Sequence, residues 1–487
     1  MRKSEITTVA GTSRESVAAK HGACERPPWP RTIAVVGLMA GCFSFLEMGL
    51  LPILPVIQRS LAGAGTTSTA LLESGVLIVA AVSAPLLGRL GDVRGKKNML
   101  LATLGLYFIG ALGAGFAPDF IALILFRALQ GVGGALLLLS IAFARDEVPD
   151  DKLSIGIGWI IGAFGAGACL GVSVSGLIAE SLSWRYLFFC QCLLLVLGAA
   201  VVVAFLPRSP ERRDERVDYP GVALLGAALA SLIMGLTEVL RLHWIALGLF
   251  VLAGLLFIAW IFYERRVDHP LLDVKILAHP RVLLPNLGSG LAGYGAFSAL
   301  FLVPRFAQVP RHLPAQVADQ LHYGFNAATA DIGLFLLPLG AGLLCAGPFG
   351  GVIGRRYGGK GPFVSGLALV AIACALLAFV HANEFEFAVW VFLLGAGFGM
   401  STGAGNVFVA EAVDKRQTAI AIAFNTLMRL IAGGIGAQIA AMLLLSQSVG
   451  GGHASRESAF TLAFGVSALL GLVGVVIALL VPTDRPP

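Results

Sequence analysis

Apolar runs of about 20 residues recur along most of the chain, each long enough to cross a bilayer as a helix, and they constrain the fold most strongly. Only 13% of the residues are charged and 57% are hydrophobic, whereas a soluble globular domain has about 25% charged residues. Strands of a membrane barrel would instead appear as short segments of alternating polarity. The sequence therefore predicts an all-α polytopic membrane protein.

The apolar runs predict about fourteen transmembrane helices. With the N-terminus placed in the cytoplasm, most of the 34 Lys and Arg residues fall in cytoplasmic loops, as the positive-inside rule requires. The even number of helices then places both termini in the cytoplasm, and we expect no cleaved signal peptide. The predicted helices cover residues 32–57, 70–90, 99–117, 120–143, 154–180, 187–206, 220–238, 244–263, 282–303, 330–353, 362–381, 385–409, 418–446 and 458–481.

Two long polar loops, 207–219 and 264–281, flank one helix pair and divide the helices into six, two and six. We therefore predict two six-helix bundles joined by two linking helices. The segment GRLGDVRGKK, residues 88–97, shares three glycines and a lysine with GVIGRRYGGK, residues 351–360, which suggests an internal duplication. The predicted regions are a cytoplasmic tail 1–31, a bundle 32–206, the linking region 207–281, a bundle 282–481 and a tail 482–487.

The segment at residues 88–97 resembles the cytoplasmic loop motif of the major facilitator superfamily, Gly-x-x-x-Asp-(Arg/Lys)-x-Gly-(Arg/Lys)-(Arg/Lys). Val93 stands where that motif usually has a base. Glycines allow helix ends to approach closely, and one carboxylate among cations can make and break ion pairs as two halves rock. The resemblance thus implies a cytoplasmic gate; the matching residues are Gly88, Asp92, Gly95, Lys96 and Lys97.

The fourth predicted helix resembles the same superfamily's Arg-x-x-Gln-Gly motif, with Arg127, Gln130 and Gly131 matching. A charge inside a membrane helix is costly, so Arg127 is expected to face protein or a wet cavity. An arginine that reaches back to the outer surface is the alternative. Glu47 in the first helix lies at a similar depth, so that the two side chains could meet.

Further segments resemble the fourteen-helix drug:proton antiporters of that superfamily. Glu47, followed by Pro52 and Pro55, corresponds to the acid of their first helix, and the prolines are expected to kink or loosen it. The segment FNTLMRLIAGGIG, residues 424–436, resembles their thirteenth helix and places a second charge, Arg429, in the membrane. Glu47, Arg127 and Arg429 are therefore the candidates for proton and substrate coupling. Glu73 lies near a predicted helix start, where a capping role is favoured.

The resemblance implies a secondary active transporter of the bacterial inner membrane that exports small drug-like molecules in exchange for protons, by alternating access and as a monomer. No nucleotide-binding loop or clustered catalytic His, Asp or Ser residues were found, so neither an ATP-driven pump nor an enzyme is expected. The basic residues lie in short loops between helices and suit membrane orientation, not nucleic-acid binding. Apart from the lone pair Cys190-Gln-Cys192, the seven cysteines lack metal-ligand spacing, and no cofactor or metal is expected.

Two alternatives remain open at this stage. The fifth helix carries GVSVSG, residues 171–176, where the antiporters have Gly-Pro-x-x-Gly-Gly, so a proton symporter that imports a small metabolite is also consistent with the sequence. A membrane sensor without transport activity would be expected to carry a soluble signalling domain, and the tails are too short for one.

Overall fold

A computed structural model describes residues 28–50, 53–61, 66–207, 218–239, 243–267, 277–309, 323–328, 331–413, 418–449 and 454–482. These residues form helices almost throughout, apart from one two-stranded antiparallel pairing of Ser448–Val449 with Ala454–Ser455. Within this part of the chain, 14 helical spans are long and apolar enough to cross a membrane. The predicted class and the predicted number of spans are confirmed: the chain is an all-α, multi-pass membrane protein.

The first six spans lie between residues 29 and 205, and the fourth is divided by a 3-10 turn at Gly131–Gly134. Short loops join these helices, so that neighbours along the chain run in opposite directions. The helices are α1 (Trp29–Met48), α2 (Leu54–Ser60), α3 (Thr66–Arg94), α4 (Lys96–Gly115), α5 (Phe120–Gln130), α6 (Ala135–Glu147), α7 (Asp150–Ser181) and α8 (Arg185–Phe205).

Two further spans follow, α9 (Tyr219–Glu238) and α10 (His243–Glu264), which we call the linking pair. The last six spans then lie between residues 280 and 479. They are α11 (Pro280–Ala307), α12 (Ile332–Tyr357), α13 (Lys360–Phe379), α14 (Glu384–Glu411), α15 (Thr418–Ser446) and α16 (Glu457–Leu479).

The first predicted helix, 32–57, is not continuous. Helix α1 ends at Met48, and Gly49 follows as its C-cap in a helical conformation. Helix α2 begins at Leu54 with Pro55 in its first turn, where proline is tolerated because the amide it lacks would have no partner in the helix. The expected loosening near the prolines is therefore an interruption of the helix shortly after Glu47; Pro52 lies outside the described residues.

Glycines bring α1 and α7 into backbone contact. A methyl group on Gly167 would lie 2.1 Å from the carbonyl oxygen of Gly41, and one on Gly171 would lie 2.1 Å from that of Phe45. Neither position has room for a side chain. Gly171 belongs to the segment that lacks the antiporter proline, and here its role is the close crossing of a continuous α7.

The first six and last six spans meet along two helix pairs, α7 with α12 and α3 with α15. At the end of the bundle that carries α2, they contribute to one hydrophobic cluster, which we call the shared cluster. Two other clusters belong to the first six spans alone and to the last six spans alone. The shared cluster includes Met48, Leu50, Ile53, Leu54, Ile57, Leu72, Leu77, Val172, Phe297, Leu300, Phe301, Phe335 and Leu336.

Helix α9 of the linking pair packs against the α3–α15 contact. Thr237 of α9 accepts a 2.9 Å hydrogen bond from the amide nitrogen of Gln438 on α15, and the amide oxygen of Gln438 accepts one of 3.4 Å from Ser74 on α3. All three side chains are buried. One buried glutamine therefore joins the linking pair, the first six spans and the last six spans.

Candidate functional site

Glu47 and Arg127 form an ion pair inside the first six spans. The Nη2 atom of Arg127 lies 3.1 Å from Oε1 of Glu47, and Nη1 donates a 2.5 Å hydrogen bond to Oε1 of Gln130. Arg127 and Gln130 are 0% exposed and Glu47 is 2% exposed. Arg127 thus faces protein and not the outer surface, and the two residues meet as their similar depth in the sequence predicted.

Helix packing fixes the position of Arg127. Gly131, one turn further along, lets the chain approach α3 so closely that a methyl group there would lie 2.5 Å from the carbonyl oxygen of Val76. Gly110 of α4 makes a similar approach to Gln130 from the other side, with 2.9 Å to its Cγ atom. The helix-four motif therefore combines a charged group with the small residue that lets neighbouring helices enclose it.

Gln191 supports the neighbouring end of α1. Its side-chain nitrogen donates a 3.2 Å hydrogen bond to the carbonyl oxygen of Leu46, next to Glu47. That carbonyl lies in the last turn of α1, where helix carbonyls lack intrahelical partners. A side chain of α8 thus stabilises the backbone that carries Glu47.

Glu73 does not cap a helix, contrary to the expectation from the sequence. Helix α3 begins at Thr66, so Glu73 lies in its third turn, 1% exposed. No described residue donates a hydrogen bond to either of its carboxyl oxygens. Glu73 is close enough to Glu47 and Arg127 to interact electrostatically with both. The predicted start at residue 70 placed it in the first turn, which is why a cap was expected.

Arg429 is buried, at 6% exposed, as expected, but it belongs to a different polar cluster. Its guanidinium donates hydrogen bonds to Oδ1 of Asn425 and, at 3.1 Å, to the Thr426 hydroxyl. The Asn425 amide nitrogen in turn donates to Oδ1 of Asn286 at 2.9 Å and to the Ser289 hydroxyl at 2.7 Å. These partners of Arg429 are neutral, so its charge is solvated by amide and hydroxyl oxygens.

The sequence reading overlooked the residues around Arg429. Asn425 lies one turn before it, a spacing that places both side chains on one helix face. Asn286 lies in the apolar ninth span, where a buried amide needs a partner. Polar residues at helical spacing in neighbouring membrane helices were therefore the signal that could have identified this cluster.

The loop between α3 and α4 has defined contacts at the predicted gate residues. Gly95 has a φ of 88°, a conformation that favours glycine. The Nζ atom of Lys96 lies 2.6 Å from Oδ2 of Asp146 at the end of α6. Lys97 donates to the carbonyl oxygens of Val203 at 3.0 Å and Leu206 at 2.5 Å, at the end of α8.

Gly88 differs from the expectation. Gly88 has no atom within 4 Å of the place where a Cβ would lie, so close helix approach does not explain it. Gly91, which was not among the motif matches, is the tighter position, since a methyl group there would lie 3.1 Å from Leu139. The Asp92 side chain lies outside the described residues.

The loop between α12 and α13 repeats this geometry. Gly358, aligned with Gly95 in the sequence, has a φ of 92°. Lys360, aligned with Lys97, donates to the carbonyl oxygens of Leu479 at 2.9 Å and Val481 at 2.6 Å, at the end of α16. Each lysine therefore binds the end of the last helix in its own set of six, where a cation suits the partial negative charge of the helix.

An acid at the end of a neighbouring helix contacts each loop as well. Asp146 binds Lys96 in the first loop, whereas Oε2 of Glu411 accepts a 3.3 Å hydrogen bond from the backbone nitrogen of Gly359 in the second. The two contacts differ in chemistry, since one is an ion pair and the other a hydrogen bond to the backbone. They agree in joining the loop to the fourth helix of the same set.

Comparisons with known proteins agree with this architecture. The family model of the Major Facilitator Superfamily matches residues 36–437 and 313–487. The tetracenomycin C resistance and export protein of Streptomyces glaucescens is 26% identical over 432 residues, 86% of this chain and 76% of that protein. The multidrug resistance protein B homolog of Mycobacterium tuberculosis strain H37Rv is 25% identical over 418 residues, 81% of this chain and 73% of that protein.

Solved structures match in fold. The xylose transporter XylE from E. coli, in a partially occluded inward open conformation, has a TM-score of 0.63 with 15% identity, covering 94% of this chain and 99% of that chain. The human organic anion transporter MFSD10 has a TM-score of 0.63 with 17% identity, covering 93% of this chain and 100% of that chain. The family match spans most of the sequence, and the spans, the loop motif and its repeat are those of one architecture. The chain is therefore a transporter of the Major Facilitator Superfamily.

Proposed function

We propose that this chain exports small drug-like organic molecules in exchange for protons, by alternating access, as a monomer in the bacterial inner membrane with both termini in the cytoplasm. The buried Glu47–Arg127 pair is the observation that carries the proposal. A carboxylate in such a place can bind and release a proton as its surroundings change, because burial disfavours its charged form and an arginine favours it. Relatives named for drug resistance and export support the direction of transport.

In this mechanism, Glu47 is the proton-exchanging group and Arg127 controls when it exchanges. With Arg127 paired as found here, Glu47 is held as the carboxylate. A state in which the two residues separate favours uptake of a proton, and substrate binding competes with that state. Coupling therefore arises from a difference in Glu47–Arg127 distance between the two conformations.

The shared cluster and the two loops suit the conformational change. The shared cluster closes one end of the bundle in this conformation. Opening that end requires the cluster residues of the first six spans to separate from those of the last six spans. Lys97 and Lys360 hold the loops against the last helix of each set, so each set can move as a rigid body. Asp92 and Lys96 are assigned to the gate between these bodies, and Arg429 to substrate contact in the last six spans.

Proton movement in inverted membrane vesicles tests this function. A pH-sensitive dye reports the internal pH of energised vesicles while cationic, neutral and anionic fluorescent drugs are added one at a time. We expect at least one drug to release protons from vesicles with the wild-type chain, and Glu47→Gln to abolish that release. Glu384→Gln, the same change at an exposed position, is the matched control. Normal proton release by Glu47→Gln would contradict the assignment of Glu47.

The second candidate is a proton symporter that imports a small metabolite. The observation that favours it is α7, which continues from Asp150 to Ser181 through GVSVSG without the antiporter proline. Counterflow in proteoliposomes with an imposed pH gradient separates the two functions. Accumulation of substrate in the direction of proton flow would indicate symport, and accumulation against it would indicate antiport.

A further inference from the structure

We propose that Glu73 is a second proton-binding carboxyl group, protonated in this conformation, and that it shares Arg127 with Glu47. The first part stands on the geometry of Glu73 alone. The second part deepens the proposed function, because it rests on Glu47 being the exchanging group. It assigns a role to a residue that neither the loop motif nor the helix-four motif includes.

The surroundings of Glu73 favour the neutral carboxyl form. Its side chain is 1% exposed, and no described residue donates a hydrogen bond to Oε1 or Oε2. An ionised carboxylate without donors is strongly disfavoured in a protein interior and takes up a proton instead. Glu47 differs in this respect, because Arg127 donates to its Oε1 atom.

Helix register places Glu73 beside the ion pair. Gly131 contacts α3 at Val76 and Val79, and Gly134 contacts it at Ala80, so the second and fourth spans run side by side in the same direction. Glu73 lies one turn before Val76, as Arg127 lies about one turn before Gly131. The carboxyl group of Glu73 is accordingly at the level of Arg127, and both Arg127 and Glu47 act on it electrostatically.

Within the part of the chain that the structure describes, few other titratable groups face Glu73. Tyr107 of α4 interacts with Glu47, Arg127 and Glu73 and is fully buried. On α15, Arg429 is the one ionisable residue between 418 and 446. It lies nine residues, or about 13 Å along the helix axis, from Gln438, which is the α15 residue that binds Ser74 next to Glu73.

The remaining neighbours of α3 carry their charges at or near helix ends. Helix α9 ends at Glu238, next to Thr237, and α2 carries Arg59 in its last turn. Helix α6 ends in Arg145, Asp146 and Glu147. Arg127 is therefore the cation placed to stabilise an ionised Glu73.

One arginine and two carboxyl groups allow a balanced exchange. In this conformation Arg127 pairs with ionised Glu47, and Glu73 holds a proton. When Glu47 takes a proton from water, Arg127 loses its anionic partner. Glu73 then releases its proton to water and pairs with Arg127. One proton enters and one leaves, so the net charge of the three groups is zero before and after the exchange.

Infrared spectroscopy of the full chain in lipid vesicles tests the proposal without a transport substrate. The C=O stretching band of a buried protonated carboxyl group is measured near neutral pH in the wild type and in each variant. We expect Glu73→Gln to remove one carboxyl band from the wild-type spectrum. Glu47→Gln is expected to remove the same band, because Glu73 then ionises to pair with Arg127. Glu384→Gln should leave it unchanged.

Two outcomes would overturn the proposal. If Glu73→Gln removes no carboxyl band from the wild-type spectrum, Glu73 is ionised in the wild type and stabilised by water. A band lost in Glu73→Gln but retained in Glu47→Gln would show that Glu73 does not share Arg127. If Glu73→Gln does not fold, Glu73→Asp serves instead, because the band then shifts in frequency. Since no transport is measured, failure here is distinct from normal proton release by Glu47→Gln in vesicles.

Discussion

Arg127 binds Glu47 through Nη2 and Gln130 through Nη1, so one guanidinium nitrogen reaches across to α1 while another bonds within α5. Lysine keeps the charge but has a single nitrogen, which cannot occupy both places. We expect Arg127→Lys to lower the free energy of unfolding by about 1.5–3 kcal/mol, the contribution of a hydrogen bond to a charged group. Unfolding in detergent measures this loss, and vesicle assays should show a slower transport rate.

Gln130→Ala is the matched control for Arg127→Lys, because it removes the partner of Nη1 and leaves the ion pair with Glu47. We expect it to retain proton coupling at reduced stability. Wild-type stability and transport in Arg127→Lys would contradict the importance of the two-nitrogen arrangement.

The close crossing at Gly131 leads to a second prediction. A methyl group there would lie 2.5 Å from the Val76 carbonyl oxygen, which cannot move without shifting α3. We expect Gly131→Ala to lower the free energy of unfolding by about 1–3 kcal/mol, as overpacked cores do. Gly88→Ala, with no atom within 4 Å, should cost nothing or be slightly stabilising. Equal stabilities of the two variants would disprove the packing role.

The repeated loop geometry leads to a third prediction. Gly95 and Gly358 have φ angles of 88° and 92° with extended ψ angles of 130° and 144°, a conformation that a residue with a Cβ atom adopts at a cost of about 1–3 kcal/mol. We therefore expect Gly95→Ala and Gly358→Ala to destabilise the protein by similar amounts. Gly105→Ala, within α4 and with open space around it, is the control and should be neutral or stabilising. Thermal unfolding in detergent compares the three, and a loss confined to one loop would count against the repeat.

Engineered disulfides test which helices move against each other. A Cβ on Gly434 of α15 would lie 3.7 Å from the Cβ of Leu77 on α3, and one on Gly37 of α1 would lie 3.5 Å from that of Ala163 on α7. Both distances suit a disulfide. In a chain without native cysteines, we expect Leu77→Cys with Gly434→Cys to block transport until a reductant is added.

Gly37→Cys with Ala163→Cys is the control, since both residues lie in the first six spans and should keep their separation. Transport that continues after the disulfide has formed in the Leu77→Cys, Gly434→Cys variant would rule out relative movement of α3 and α15. Proteolytic cleavage of the backbone between the two cysteines, followed by gel electrophoresis without reductant, confirms that each disulfide has formed, because a disulfide keeps the two fragments together.

The sequence predicted the Glu47–Arg127 contact because both residues are costly in a membrane and could be placed by counting helical rises. The same method was wrong for Glu73, because it depends on where the helix starts. Helix α3 begins at Thr66, four residues before the predicted start, so Glu73 lies about one turn further into the helix than predicted, in the buried third turn. An error of about one turn in the predicted start of α3 is therefore the reason that a capping role was expected for a residue that is a candidate proton site.

The contacts of Lys97 and Lys360 lay beyond sequence reasoning in another way. The alignment of the two loops paired these lysines correctly, but their partners are backbone carbonyls more than 100 residues away, since Lys97 is 109 residues from Leu206. A backbone oxygen has no signature in the sequence. The repeat could be predicted from residue types, whereas its physical basis required the packing of α4 against α8.

The shared cluster bears on the energy supply of the cell. A pore wetted from both sides at once would conduct protons without cargo and discharge the gradient that drives every other secondary transporter in the membrane. Apolar side chains of the shared cluster, such as the buried Leu300 and Phe301, exclude water from that end of the bundle. If the chain exchanges protons as proposed, loss of this packing is expected to let protons leak and to slow the growth of the cells that carry it.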